Sequence, residues 1–465
     1  MSMLPDLHQF DDTARTIITH FQHKYRINSL LKKYGATKKK GVPVSTIFSF
    51  LFSLVFTGKS CYRTIRDTKR DSGNKLPPHS MGKDTVYRFL KSGKIDWTGF
   101  LTHIASRIAN TSIIPLTNEQ RKNVFIIDDS LYERGRSKKV ELMSRVFDHA
   151  KRAYCLGYRM LTLGWSDGNT FLPVSFNLLS TRNPKNRLVE RNRAKEGEVA
   201  VNRRDLAVTK APDVALHLLA KALDAGMQAS HVLFDSWYSF PAMLLKVKEM
   251  GLDSVAMVKR SSKIHYTFEG QRMSVKDIFK RCKKRPGRSR YLLSVQVKVG
   301  AEGSQQIPAR LVFVRNRNQR NDYLVLISTD MELDEDEIIQ IYGKRWAVEC
   351  FFKVCKGYLR LTSGCSSLDY DAITTHVAIV FSQYMMLSEN QRMQADERSI
   401  GDLFFATVDE LQDLLFEDAI FLLITAVFNS ITEAFELSTS EREKLLETFL
   451  SAVPIPLKRR LEDCA

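Results

Sequence analysis

The sequence predicts an α/β protein built on a mixed sheet flanked by helices, with an all-α region before it and an α-helical region after it. Three observations predict this class. The apolar periodicity is helical through the first 120 residues, short β-branched runs alternate with helical segments from residue 123, and the pattern is helical again from 334. A mainly β segment interrupts the core. The expected domains are 1–120, 121–258, 259–333, 334–380 and 381–465.

The first part of the core is predicted to contain three strands, then a helix, a strand, a helix and a strand. The strand runs are apolar, and turn-forming residues such as Ser166-Asp167-Gly168-Asn169 separate them. In chain order the elements are expected at 124–127, 159–165, 171–178, 214–225, 231–234, 240–250 and 254–258. The polar stretch 182–210 is predicted to be a loop.

Two further predicted segments follow the first part of the core. Strand-like runs lie in the predicted β insertion, at 291–299, 310–315 and 323–328. Helical patterns follow, at 372–388, 402–430 and 441–452. The acidic tail 381–465 is a candidate for contacts between protomers in a dimer, or a cap that only completes the fold.

The charge balance points to a polyanionic partner. Lys and Arg number 70 against 52 acids, which gives a net charge of +18 and an isoelectric point near 9.5. The surplus is +11 in residues 1–120 and +16 in 121–380, whereas 381–465 carries −9. Most of the chain can therefore lie against phosphates, and nucleic acid is the first candidate.

Cysteine usage and hydropathy indicate a cytoplasmic protein. The seven cysteines are scattered and lack CxxC spacing, so neither a disulfide framework nor a zinc ribbon is predicted. No signal-peptide pattern opens the sequence. The most apolar run, Val44 to Phe56, is too short to cross a membrane and is predicted to form a buried helix.

A short basic helix is predicted after the Pro-Pro loop at 77–78. It begins near Ser80 or Asp84 and carries Lys83 and Arg88, which could enter a major groove as the second helix of a helix-turn-helix. The alternative is a helical bundle with a solvated basic face.

Two predicted strands end in aspartate, at Asp128 and Asp235. If these strands are neighbours, both carboxylates lie at one edge of the sheet and suit Mg²⁺, with Mn²⁺ as a substitute. Asp129 is the alternative to Asp128. In a continuing strand it points to the opposite face, and a bulge would bring it into the site instead.

A third carboxylate is expected from the helix that begins near Asp334. Tyr342, Arg345, Glu349 and Lys356 fall on one stripe of that helix at helical spacing. Glu349 can ligate metal, Arg345 and Lys356 can hold phosphates, and Tyr342 can hydrogen-bond or stack. A solvated charged face is the alternative, although Trp346, Phe351 and Phe352 predict that one side of the helix is buried.

The spacing Tyr342-x2-Arg345-x3-Glu349-x6-Lys356, with apolar-Asp-Asp-Ser at 126–130 and apolar-Asp-Ser at 233–236, resembles a family signature. It is similar to the Y-(2)-R-(3)-E-(6)-K pattern of bacterial DDE transposases of the insertion sequence four type. The resemblance covers roughly residues 121–365. The region before them resembles the family only in being the same type of region, without a shared motif.

The resemblance implies an RNase H-like catalytic core with Asp128, Asp235 and Glu349 as the triad, holding two Mg²⁺ ions. It implies binding of terminal inverted repeats through residues 1–120, cleavage of the ends, and joining of the 3′-OH ends to target DNA. It also implies a homodimer on paired ends, association with the nucleoid when bound to DNA, and no nucleotide cofactor.

One departure from the family pattern and two competing functions stay open at this point. Some relatives stack a flipped base on a Trp of the insertion, but residues 259–330 contain no Trp, so Tyr266, Phe268, Tyr291 or another group would have to serve. The competing functions are a catalytically silent, sequence-specific DNA-binding protein and an RNase H-like nuclease directed by DNA structure.

Overall fold

The computed structural model describes residues 17–58, 61, 63–64, 81–117, 121–148, 151–192, 197–286, 289–316 and 322–393, with six further positions between 431 and 448. Most of the basic segment 60–70, the Pro-Pro loop at 77–78, Ser80 and most of the acidic tail, including the predicted helix at 402–430, lie outside the described residues. The expected first helix of the helix-turn-helix falls there too.

Helices form the described part of the N-terminal region and recur on both sides of the strands. Their bounds are α1 Ile17–Lys24, α2 Ile27–Lys33, α3 Val44–Ser53, α4 Lys83–Leu90, α5 Trp97–Ile108, α6 Glu198–Ala207, α7 Ala211–Asp224, α8 Pro241–Glu249, α9 Val275–Arg281, α10 Glu335–Gly343, α11 Trp346–Gly357 and α12 Tyr370–Met393.

Eleven strands of the described residues form one mixed sheet. Their bounds are β1 Val124–Glu133, β2 Ser144–Asp148, β3 Ala153–Ser166, β4 Phe171–Leu179, β5 His231–Phe234, β6 Asp253–Met257, β7 His265–Phe268, β8 Gln271–Ser274, β9 Tyr291–Val299, β10 Ile307–Arg315 and β11 Tyr323–Ser328. The strands expected from the apolar runs are all present. β2, β7, β8 and α6 were not expected, and α6 lies in the stretch predicted to be a loop.

The centre of the sheet has the order β4-β3-β1-β5-β6. β1, β5 and β6 run parallel to one another, whereas β3 is antiparallel to β1 and β4 is antiparallel to β3. Helices cover these strands: α7 packs on β3 and β4, α8 on β6, α10 on β6 and β11, and α11 on β1 and β4. This arrangement is consistent with an RNase H-like core.

The predicted insertion does not form a separate sheet. β11 pairs with β6, and β10, β9, β7 and β8 continue outward from it, so the strands of residues 259–333 extend the central sheet. The segment is mainly β as expected, but its strands hydrogen-bond directly to the core because β6 has an open edge on that side.

The N-terminal helices share one apolar core with the sheet through α12. The Trp97 Nε1 atom donates to Thr375 Oγ1 at 2.8 Å, and Gln383 Nε2 donates to the carbonyl of Phe52 at 2.7 Å. α12 is one helix across residues 380 and 381, where the sequence predicted a domain boundary. No helix among the described residues is long and apolar enough to span a membrane.

Candidate active site

The two aspartates predicted to end strands lie side by side, although β1 continues past Asp128 to Glu133 and only β5 ends where predicted. β1 pairs with β5 in parallel from Val124↔His231 to Ile127↔Phe234. One step further along this register, Asp128 lies beside Asp235, and neighbouring residues of parallel strands point to the same face. The Asp235 Oδ1 atom accepts the backbone N–H of Trp237 at 2.9 Å, which fixes the carboxylate at the end of β5.

Asp129 lies on the opposite face of β1, because the strand continues without a bulge to Glu133. Arg159 grips its carboxylate with two hydrogen bonds of 2.8 Å, and the Tyr238 hydroxyl donates to it at 3.3 Å. Sequence reasoning missed Arg159 and Tyr238. The only signal for Arg159 was a charged residue within an otherwise apolar strand.

Glu349 is carried by α11, whose opposite side is buried. Val348, Phe351, Phe352 and Cys355 follow the i, i+3, i+4, i+7 spacing of a core-facing stripe and are all buried. The Phe351 ring contacts β4 and α12, with centroid distances of 5.1 Å to Phe171, 5.0 Å to Phe381 and 4.8 Å to Tyr384. This packing fixes the helix, and Glu349 lies at the edge of the buried stripe with 37% of its side chain exposed.

The expected single helix with one polar stripe is wrong. α10 begins at a capping box formed by Asp334 and Glu337 and ends at Gly343, and α11 begins at Trp346. Hydrogen bonds of the i+3 to i type, from Lys344 N to Ile341 O and from Arg345 N to Tyr342 O, tighten the chain between the two helices. Tyr342 therefore belongs to the end of α10 and Arg345 to the junction.

The expected burial of Trp346 is wrong. This indole is 64% exposed, because on α11 it lies on the face opposite the buried stripe of Phe351 and Phe352. Phe351 and Phe352 are buried as predicted.

Arg345 joins two of the three predicted ligands. Its guanidinium donates to Asp128 Oδ2 at 2.8 Å and to Glu349 Oε1 at 2.5 Å, and it lies 5.9 Å from the centre of the Tyr342 ring. All four groups therefore meet at one place. The arginine lies between the carboxylates rather than on an open phosphate-binding face.

Lys356 approaches the same strand from a position two turns beyond Glu349 on α11. Its Nζ atom donates to Ser130 Oγ at 2.6 Å. Ser130 is two residues beyond Asp128 on the same side of β1. Lys356 therefore lies next to the carboxylates while its side chain remains exposed.

The carboxylates share a negative potential. Burial, with smaller contributions from the charges of Asp129 and Asp235, raises the pKa of Asp128 to about 7 against the attraction of Arg345. Burial likewise raises the pKa of Asp235. Carboxylates that are buried close together favour protonation or a cation between them.

The donor set fits Mg²⁺ in chemistry, because Asp128, Asp235 and Glu349 offer only carboxylate oxygens. Within the described part of the chain, no group of three or more acidic, His or Cys side chains already converges as a metal shell. Arg345 holds Asp128 and Glu349 through its own guanidinium, and it therefore competes with a cation for one oxygen of each carboxylate.

A cavity of about 920 Å³ opens beside the carboxylates. Asp128, Asp129 and Asp235 line one part of it, and Lys356 and Trp237 lie at its border. The Trp237 indole is 52% exposed. Arg159 and Lys259 lie over its ring at 5.3 and 5.6 Å.

The remaining candidates have different surroundings. Lys83 and Arg88 are exposed on α4, whereas Val86 and Phe89 of the same helix are buried. The N-cap of α4 is Gly82, which rules out Asp84 as the cap. Tyr266 and Phe268 are buried and cannot stack on a base, and the Tyr291 ring is covered by Arg285 at 4.4 Å.

Comparison with known proteins places more than half of the chain in one family. The family model described as DDE superfamily endonuclease matches residues 51–308, more than half of the chain. The matched range contains Asp128 and Asp235 and ends before Glu349. No curated protein gives a significant match. The family acts on DNA and its members use divalent metal ions. The chain belongs to the DDE superfamily endonucleases.

Proposed function

We propose that the protein is a DNA transposase of the insertion sequence four type. It binds the terminal inverted repeats of its element, cleaves the ends and joins the freed 3′-OH ends to target DNA. The observation that supports the proposal is Arg345, which bonds both Asp128 and Glu349, beside a strand pairing that places Asp128 next to Asp235. Tyr342, Arg345, Glu349 and Lys356 have the spacing of that branch.

Asp128, Asp235 and Glu349 are the proposed ligands of two Mg²⁺ ions. When bound, the ions activate the attacking oxygen and neutralise charge on the scissile phosphate. Asp128 is preferred to Asp129 as a metal ligand for two reasons. Asp128 lies on the same face as Arg345 and Glu349, and both oxygens of Asp129 already accept hydrogen bonds from Arg159.

Arg345 has two proposed partners in turn. Before DNA binds, it neutralises Asp128 and Glu349. Once these carboxylates are bound to Mg²⁺, the guanidinium of Arg345 is free to bind a phosphate of the DNA end. A planar guanidinium can hold a phosphate with two hydrogen bonds. Lys356 supplies a second positive charge beside it.

The remaining parts of the proposal rest on composition and resemblance. The surplus of +11 over residues 1–120 suits binding of the inverted repeats, with Lys83 and Arg88 as exposed contacts on α4. Joining two ends implies a homodimer on DNA, to which the acidic tail is a candidate contributor.

Cleavage and joining of labelled DNA ends test the proposal. The ends are taken from the DNA that flanks the gene, where inverted repeats are expected. Asp235→Ala and Glu349→Ala should abolish both steps and change end binding no more than a few-fold, because affinity depends mainly on phosphate contacts. Asp336→Ala, which removes an exposed carboxylate from α10, is the matched control and should leave both steps intact.

Three outcomes would contradict it. Mg²⁺-dependent cutting by Glu349→Ala would remove Glu349 from the triad. Cleavage without joining of pre-cleaved ends would favour a structure-directed nuclease, and specific binding without cleavage would favour a silent DNA-binding protein.

A further inference from the structure

A two-stranded ribbon projects from the sheet on the side of the carboxylates. β1 pairs with β3 only as far as Glu133↔Gly157, whereas residues 153–156 of β3 pair with β2 alone. β1 runs from Val124 past Asp128 toward Glu133, so the ribbon, formed by residues 144–148 and 153–157, extends beyond the same end of β1.

The ribbon displays an aromatic pair to solvent. Phe147 and Tyr154 lie opposite each other, with ring centroids 5.2 Å apart at 72°. Tyr154 is 71% exposed and Phe147 41%. A cross-strand aromatic contact stabilises a ribbon by roughly 0.2–1 kcal/mol. That contact explains why the rings meet, but it does not explain why most of the tyrosine is left in water.

The surroundings of the pair are basic. Arg145, Lys151 and Arg152 of the ribbon and its connection are exposed. The preceding segment adds three more exposed cations, at Arg136, Lys138 and Lys139. The acids nearby are Asp148 and Glu133, both paired with Lys151. An aromatic pair ringed by cations matches the charge and the apolar sugar and base edges of nucleic acid.

The ribbon also forms a wall of the cavity at the carboxylates. Arg145, Phe147 and Lys151 line this cavity together with Asp128 and Asp235. A strand bound with its scissile phosphate at the carboxylates therefore passes along the ribbon.

We propose that this ribbon holds the DNA duplex that flanks the scissile phosphate, with its cations on the phosphates and Phe147 and Tyr154 in a groove. A major groove admits a two-stranded β-ribbon. The inference rests on the proposed cleavage of DNA at Asp128 and Asp235, and it adds where the flanking duplex runs.

The register gives the position of the contact. Tyr154 lies eight residues along β3 from Thr162, the partner of Asp128. At roughly 3.3 Å per residue this is about 26 Å, or about eight base pairs of duplex at roughly 3.4 Å each.

Photo-crosslinking tests the position. The full chain carrying a benzoylphenylalanine in place of Tyr154 is bound to labelled end DNA and irradiated. We expect crosslinks centred about eight base pairs from the cut. The same group in place of Leu324, which is 38% exposed on β11, is the control and should give none. Crosslinks to a second protein copy, or none to DNA that is still cut, would overturn the inference.

Affinity measurements separate this inference from the proposed function. The double variant Phe147→Ser and Tyr154→Ser should bind a random-sequence duplex about tenfold more weakly, since it loses the burial of roughly 55 Å² of ring surface in the groove at about 25 cal/mol per Å². Leu324→Ser should bind like the wild type. A tenfold loss in a protein that never cleaves supports the ribbon and refutes the transposase. Unchanged affinity in a folded double variant, with cleavage intact, refutes the ribbon alone.

Discussion

Replacing Asp128 with Asn should stabilise the metal-free protein at neutral pH while abolishing its proposed activity. Asp128 is 15% exposed and lies near the charges of Asp129 and Asp235, with Arg345 as its only described ion-pair partner. Burial makes its ionised form unfavourable in the folded state. An asparagine has nearly the same shape and carries no charge.

The pKa of Asp128 sets both the sign and the size of the effect. It rises from 3.8 to about 7 on folding. Between these values the folded chain binds a proton that the unfolded chain has released, so stability falls as pH rises through this window. Above pH 7 this loss of stability is complete, and a pKa difference of about three units corresponds to at most ~4 kcal/mol. Below pH 4 the loss of stability disappears.

Chemical denaturation in EDTA at pH 8 and at pH 4 measures this difference. Asp128→Asn should be the more stable protein at pH 8, with the advantage shrinking toward pH 4. Asp129→Asn is the matched control and should be destabilising at pH 8, because it leaves the half-buried Arg159 without its two carboxylate bonds. If Asp128→Asn were destabilising at pH 8, the attraction of Arg345 would outweigh the cost of burying the carboxylate. The pKa of Asp128 would then not be raised on folding.

Three other outcomes are expected. Arg204→Met should lower the free energy of unfolding by about 3–5 kcal/mol in chemical denaturation. The reason is that its guanidinium, 2% exposed, pairs with two buried carboxylates, Glu141 and Asp371. A variant as stable as the wild type would contradict this role. Arg345→Gln should tighten Mn²⁺ binding measured by electron paramagnetic resonance, since the guanidinium no longer competes for the carboxylates, and weaker binding would contradict the competition. Lys83→Ala and Arg88→Ala should each flatten the slope of log affinity for DNA against log salt concentration by about one unit. Unchanged slopes would mean that the basic face of α4 is solvated and does not contact DNA.

The central strands could be predicted because each is a short apolar run between polar turns. β1, β4 and β5 are buried along nearly their whole predicted lengths, so their sequences carry a clear signal. β2 was missed because its residues alternate buried and exposed over only five positions. α6 was missed because Arg203 and Arg204, which look like loop residues in a polar stretch, are buried by ion pairs with Asp371 and Glu141. Charges satisfied by distant partners leave no local pattern.

The candidate site shows the same division between local and distant information. A carboxylate that directly follows an apolar strand is a local signal, and parallel pairing then brings Asp128 and Asp235 together without any further information from the sequence. The partner of Arg345 depends on the turn between α10 and α11, which a helical wheel drawn through both helices cannot represent. The spacing that relates Tyr342 to Lys356 is therefore not the spacing of one helix face. Its two halves lie on different helices, and the backbone of the arginine at their junction is hydrogen-bonded to both, from Arg345 N to Tyr342 O and from Val348 N to Arg345 O.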